Sequence, residues 1–283
     1  MTATTITAPG TAGQLARIYG TGLAALPLYG PEGSVEYDRL SRGDTQEIGE
    51  LLRAARQVTG PVLDLACGSG RLTLPLLARG HDVWAADSSP VMLRLLTERH
   101  AEQPHARGTL KTIEADMSTM DFEATFGLVV LGTSSVCLLD EASRAALFSR
   151  VRQSLAPGGR FLVSTMDFGP ELLTARSAER VSMVTYADEP GDTVITLFQH
   201  FDAPRGIRTT SLLRERVHNG QTTDRTLFVS EVYLVDSARL TAELADAGLR
   251  VIDRKEGADL LRATPGAAQP GQYPVLLTCE ACT

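Results

Sequence analysis

Apolar positions along the chain follow three periods in turn, and each period predicts a different kind of element. Up to Gly60, the stretches Gln14–Leu26 and Thr45–Val58 repeat at helical spacing, and Tyr29–Asp38 between them is punctuated by Gly and Pro. From Pro61 to about Thr165, short apolar runs alternate with amphipathic ones. Strands are predicted at 62–65, 82–86, 110–114, 126–131 and 160–165, and helices at 71–79, 89–99 and 141–155. Pro157-Gly158-Gly159 closes the last helix. Strands that are apolar on both faces with helices between them imply a parallel, doubly wound α/β sheet.

The third tract breaks that rhythm. Thr193–Phe201, Gly206–His218 and Thr226–Leu234 are long β-rich runs separated by Asp202-Ala-Pro and His218-Asn-Gly, which predicts an antiparallel meander after the fifth core strand. Ser237–Ala247 then reads as a helix stopped by Gly248. Leu249–Arg254 and Val275–Glu280 read as a closing hairpin around the Pro- and Gly-rich loop 263–272. Met1–Gly13, rich in Thr, Ala and Gly, carries no pattern and is expected to be disordered. The chain therefore divides into 1–13, a helical segment 14–60, a core of 61–192 with 235–283, and an insertion 193–234.

Composition changes this picture only by exclusion. With 43% apolar and 22% charged residues, the 283-residue chain is an ordinary globular protein. A formal net charge of −7, without a Lys/Arg cluster, argues against a nucleic-acid partner. No apolar run approaches the roughly 20 residues that span a bilayer, and the N-terminus lacks the basic start of a secretory signal. No membrane partner and a cytoplasmic location are expected. Four cysteines make no disulfide framework; Cys279 and Cys282 have no second pair or His partner and read as a strand-end and a tail residue.

The candidate chemistry begins at Val62-Leu-Asp-Leu-Ala-Cys-Gly-Ser-Gly70, a buried strand followed by a turn of small residues. Gly68 and Gly70 let backbone approach a ligand, and the helix that follows offers free N–H groups. Dinucleotide sites share this much, but the third glycine of G-x-G-x-x-G is replaced by Thr73. Asp87 ends the second strand, where a carboxylate can accept from two ribose hydroxyls. Asp116, in Glu114-Ala-Asp-Met117 at the end of the third, can accept from an adenine amino group.

In these motifs, and in Leu155-Ala-Pro-Gly-Gly-Arg160, the segment from Gly60 to Val163 resembles the class I S-adenosylmethionine-dependent methyltransferases. The resemblance implies a Rossmann-like seven-stranded sheet with an N-terminal helical lid (14–60) and an inserted β meander (193–234) roofing the acceptor pocket. It implies S-adenosylmethionine as cofactor and S-adenosylhomocysteine as product. Asp64 would order the glycine loop and contact the methionine amino group, with Ala66, Gly68 and Gly70 along the methionine portion. Asp87 would hold the ribose, Ser88 and Met92 would flank the adenine, and Asp116 and Met117 would contact its edge. Gly132 and Ser134 would close the site. A NAD-dependent dehydrogenase fits less well, given Thr73 and Asp116, and a non-catalytic binder of the same ligand stays open.

The acceptor is harder to read, because methyl displacement mainly needs alignment and exclusion of water. Leu131-Gly-Thr-Ser-Ser-Val-Cys137 lacks the Asp/Asn-Pro-Pro-Tyr/Phe and Pro-Cys motifs that mark nucleic-acid or amide acceptors in that family. It also lacks a magnesium-holding acid, so no metal is expected. Ser134-Ser-Val136, Gly30-Pro-Glu-Gly-Ser-Val-Glu-Tyr37 and the insertion resemble small-molecule N-methyltransferases of the antibiotic amino-sugar type. There a tyrosine folds over the cofactor; Tyr37, with Tyr29 second, matches it. A small-molecule or small-peptide amine is the expected acceptor, O-methylation of a hydroxyl or carboxylate the alternative, and a homodimer an open one. His200 and His218 are candidates to take the amine's proton. Asp167 and Glu231 could hold a cationic substrate, and Arg208, Arg214 and Arg216 alternate as a solvated sheet face.

Overall fold

The computed structural model describes residues 7–103, 107–121, 124–174, 177–188, 191–257, 260 and 271–282. In chain order its elements are α1 (Gly10–Tyr19), β1 (Ala24–Pro27), α2 (Pro31–Ser41), α3 (Ile48–Ala55), β2 (Val62–Leu65), α4 (Thr73–Ala78), β3 (Val83–Asp87) and α5 (Pro90–Ala101). There follow β4 (Leu110–Glu114), β5 (Phe126–Leu131), α6 (Glu141–Ser154), β6 (Leu155–Phe168), α7 (Pro170–Leu173), β7 (Ala178–Asp188) and β8 (Gly191–Asp202). The chain ends in β9 (Ile207–His218), β10 (Gln221–Tyr233), α8 (Ser237–Asp246), β11 (Leu249–Glu256) and β12 (Gln272–Ala281). They form two compact units, Met1–Tyr37 with Pro170–Leu234, and Asp38–Gly169 with Val235–Thr283.

The larger unit is an α/β fold around a seven-stranded sheet of order β11-β12-β6-β5-β2-β3-β4. Strands β2 to β6 run parallel, and β12 is antiparallel to both β6 and β11. Every residue of β2 and β5 is buried, which is why those segments read as unbroken apolar runs. Leu51 and Ala55 of α3 pack with Leu76, Leu77, Val83, Val130 and Leu276 in one core cluster. Local caps set the helix starts: Ser89 accepts from Met92 N with Pro90 at the first helical position, Asp140 from Ser143 N, and Asp236 from Arg239 N.

The smaller unit is a five-stranded sheet, β1-β10-β9-β8-β7, antiparallel except that β1 runs parallel to β10. Helix α1 covers one face, with Ala12 against Phe198, Leu213, Leu227 and Val229. On the opposite face Arg214 is buried and donates to Glu36, Asp224 and Thr226 at 2.7–2.9 Å.

Several expectations change. The meander begins at Ala178, not Thr193: β7 is an edge strand whose Val181, Met183 and Val184 are exposed, so no buried face marked it in the sequence. The helix expected to reach Leu26 stops at Tyr19, because Gly20-Thr-Gly22 breaks it and 24–27 pairs with β10 instead. Tyr29–Asp38 is mostly α2, with Pro31 as its first residue. Segment 14–60 is thus no single helical layer: α1 packs on the five-stranded sheet, while α3 sends Leu51 and Ala55 into the core of the larger unit. Disorder to Gly13 is corrected from Gly10 onward by α1, and residues 1–6 lie outside the described residues. The loop at 263–272 lies largely outside them as well. Arg214, expected on a solvated face, is buried because α2 supplies it with a carboxylate.

Candidate active site

Asp64 stands inside β2 with 1% of its surface exposed, and its Oδ2 accepts from Thr73 Oγ1 at 2.6 Å. Burial pushes its carboxyl up to about 7, against the lowering effects of Thr73 and Arg71. After β2 the backbone turns through positive φ at Ala66 (50°), Gly68 (55°) and Gly70 (92°). A side chain at Gly70 would strike Leu96 of α5, at 2.3 Å from its Cδ1, so that glycine is fixed by packing. A Cβ at Gly68 would meet nothing within 4 Å, so that glycine faces open space at the strand end.

The neighbouring strand tip closes the turn. Asp87 Oδ2 accepts from Gly68 N and Oδ1 from Ser89 N, both at 2.8 Å. Burial raises the Asp87 carboxyl, with the Ser89 and Gly68 N–H groups opposing it. Past β4, exposed Asp116 accepts from Ser118 N at 2.7 Å, while Met92 and Met117 are buried. Ser88 is exposed beside Asp87. Thus Asp64, Ala66, Gly68, Gly70, Asp87, Ser88, Asp116 and Met117 gather at the carboxyl ends of β2, β3 and β4.

On the other side of β2 lies β5, whose chain then passes to β6, whereas β2 passes to β3. Such a reversal opens a crevice between the two carboxyl ends. Gly132 and Ser134 stand on its β5 side, in a turn closed by Ser135 N to Gly132 O at 3.0 Å. Reading the sequence missed what holds this crevice. Glu47 accepts from Thr133 N and from Arg71, and Asp38 accepts from Ser69, Arg99 and Arg42. Burial raises the Asp38 carboxyl, but Arg99, Ser69 and Arg42 together hold it below its ordinary value. Glu47 sat in a segment that signalled only a helix.

The acceptor-side expectations are not brought together. In the smaller unit, Tyr29 and Tyr37 stack edge to face with centroids 5.5 Å apart. His200 shares the sheet face that α1 covers and lies in one cross-strand row with Glu179, Thr209 and Glu231. His218 is exposed at the β9–β10 hairpin, and Glu231 is exposed too. The two histidines therefore form no pair. Asp167, in the larger unit, takes Ser237 N and Oγ at 2.7 and 2.8 Å and Arg254 at 3.0 Å, so it anchors α8 rather than standing free for a substrate. Among the described residues no cluster of His, Cys, Asp and Glu could hold a metal ion, and no helix is long and apolar enough to cross a membrane.

Residues 62–159 match the methyltransferase domain family. The chain is similar to the cypemycin N-terminal methyltransferase of Streptomyces sp, 28% identical over 148 residues that cover 48% of this chain and 58% of the relative. It is 30% identical over 121 residues to the carboxy-S-adenosyl-L-methionine synthase of Yersinia pestis (strain Pestoides F), covering 41% of this chain and 44% of that one. The chain thus spans about half the length of the curated relatives it matches. The glycopeptide N-methyltransferase MtfA, solved with S-adenosyl-L-methionine, has the same fold at a TM-score of 0.62 and 24% identity, covering 98% of this chain and 100% of its own.

Proposed function

We propose, from the premise that residues 62–159 are the methyltransferase domain of an S-adenosylmethionine-dependent enzyme, that the chain methylates an amine nitrogen of a small natural product or small peptide. The observation that carries the cofactor is the union of the open-faced Gly68 with Asp87, whose Oδ2 accepts from Gly68 N at 2.8 Å across the ends of two adjacent strands. Backbone can approach a ligand there, and a carboxylate stands beside it. Asp87 takes the ribose hydroxyls, Asp116 and Met117 the adenine edge between Ser88 and Met92, and Asp64 the methionine amine through the glycine turn. Gly132 and Ser134 line the far side of the crevice. S-adenosylmethionine supplies an electrophilic methyl on a sulfonium sulfur.

Two points support an amine acceptor. Of the similar proteins, one is named a cypemycin N-terminal methyltransferase and one a glycopeptide N-methyltransferase. The acidic chain disfavours a polyanion and favours an amine, which is cationic at neutral pH. His200 and His218 each stay candidates to take the proton of the incoming amine.

Titration calorimetry with S-adenosylhomocysteine tests the cofactor site. Asp87→Ala is expected to weaken binding by about 1–3 kcal/mol through loss of charge-assisted hydrogen bonds. Its thermal midpoint, measured alongside, separates this from unfolding. Unchanged affinity in a folded variant would remove Asp87 from the ribose. Transfer is then read by mass gain across a panel of amino sugars and short peptides, with matched hydroxyl compounds lacking the amine as controls.

A further inference from the structure

We propose that Glu47 is a positioning residue which, together with Arg71, clasps the Thr133–Ser134 turn across the crevice between β2 and β5 and so fixes one wall of the cofactor site. Gly132–Ser135 forms a two-residue turn with φ of 56° at Thr133 and 55° at Ser134. Turns with both central residues in the left-handed region are normally built from Asn and Gly, and a β-branched residue adopts that region only when held there. Here the holding groups are visible. Thr133 N donates to both Glu47 oxygens, at 3.3 and 3.2 Å. Arg71 Nη2 donates to Thr133 Oγ1 and to Glu47 Oε2, each at 2.8 Å, and its Nη1 to Gln46 O at 2.6 Å. Ser134 N donates to Ser164 Oγ at 2.9 Å.

The clasp spans the crevice. Arg71 follows the glycine turn after β2, Thr133 follows β5, and Glu47 reaches both from the start of α3. Glu47 is buried and Arg71 largely so, with 7% of the Glu47 side chain and 10% of the Arg71 side chain exposed. Gly132 has no room for a Cβ, which would lie 2.3 Å from Leu72 Cδ1 and 3.0 Å from Glu47 Oε2, so the turn is pressed onto its support. Glu47 itself has φ of 71°. Of the five non-glycine residues with positive φ among the described ones, three belong to this clasp and a fourth, Ala66, to the glycine turn facing it. Strain gathered at one place persists only where surrounding contacts over-determine it, and it is characteristic of functional sites.

The inference rests on the cofactor reading above, and S-adenosylhomocysteine binding by calorimetry separates the two. Wild-type protein that fails to bind overturns the cofactor reading and this inference with it. Given wild-type binding, Glu47→Gln, which removes the charge from the clasp, is expected to weaken affinity about tenfold when measured well below its own thermal midpoint, where the variant is folded. Adding Thr133→Gly, which adopts the left-handed turn without being held, is expected to restore affinity. A Glu47 that merely caps α3 would not be rescued by a glycine at 133. Wild-type affinity in Glu47→Gln, or weakened affinity that Thr133→Gly leaves unrestored, overturns the proposal. Thr133→Val supplies an arm independent of Glu47: it keeps the volume but removes the hydroxyl that accepts from Arg71. It should also bind more weakly, and wild-type affinity there counts against the clasp.

Discussion

Replacing Arg144 with alanine is expected to destabilise the protein by about 3–4 kcal/mol, the cost of breaking a buried charge pair by removing one partner. Only 1% of Arg144 is exposed, because it lies on the face of α6 that buries Leu147, Phe148 and Val151. Its Nε and Nη2 donate to the two oxygens of Glu243 on α8, and its Nη1 to Leu139 O, all at 2.6 Å. Alanine would leave the Leu139 carbonyl unpaired in a dry site, and Glu243 with Arg239 alone. Burial raises the Glu243 carboxyl, but Arg144 and Arg239 together hold it below its ordinary value. Its share of stability is present above the unfolded value and lost as pH falls through the folded one, so the Arg144→Ala deficit should shrink in acid. For a chain of this size the midpoint should fall by roughly 6–10 °C. The double variant Arg144→Met with Glu243→Met, which removes both charges at similar volume, should recover most of it. A midpoint within 2 °C of wild type in Arg144→Ala would show that this pair contributes nothing net.

Arg144 also shows where the sequence stopped being legible. Its helix was readable from its length and from Pro157-Gly158-Gly159, but one face of that helix is completed by a charge whose partner lies about a hundred residues away. The seven-stranded sheet was readable because β2 and β5 are buried on both faces and so contain no polar interruption except Asp64. Edge strands gave no such signal: β7 exposes its apolar residues, and β1 is only four residues long beside two glycines. The same contrast runs through the site. Asp64, Gly68, Asp87 and Asp116 could be found because each lies in or just past the carboxyl end of a strand, a position that secondary structure alone defines. Glu47 and Asp38 could not, since their partners come from the loops after β2 and β5 and from α5, and only tertiary folding joins them. His200 and His218 were chosen by residue type, which does not encode the sheet face; register assigns one to the side under α1 and the other to a hairpin end.

The interruption in β2 carries the second large expected effect. Burial holds the Asp64 carboxyl at about 7 in the folded protein, against an ordinary value of 3.8. Between these values the folded state keeps a proton that the unfolded chain has released. Stability from this group is therefore full below the lower value, falls as pH rises, and is lost above the upper one. At 1.36 kcal/mol per unit, the loss between pH 4 and 8 is about 3–4 kcal/mol. Asp64→Asn keeps the shape and an acceptor for Thr73 Oγ1 but cannot ionise. Urea unfolding should find it about 2 kcal/mol more stable than wild type at pH 5 and about 4 kcal/mol more stable at pH 8, the two converging only below 3.8. Parallel pH profiles for the two proteins would mean that Asp64 does not titrate in this window. A buried acid that lowers stability at the pH where cells work, inside a strand that is otherwise apolar, calls for a reason other than folding. If the reason is a cationic amine at the strand end, the same variant that gains stability at pH 8 should bind S-adenosylhomocysteine more weakly there. Its affinity should approach wild type at pH 5, where the wild-type carboxyl is itself protonated.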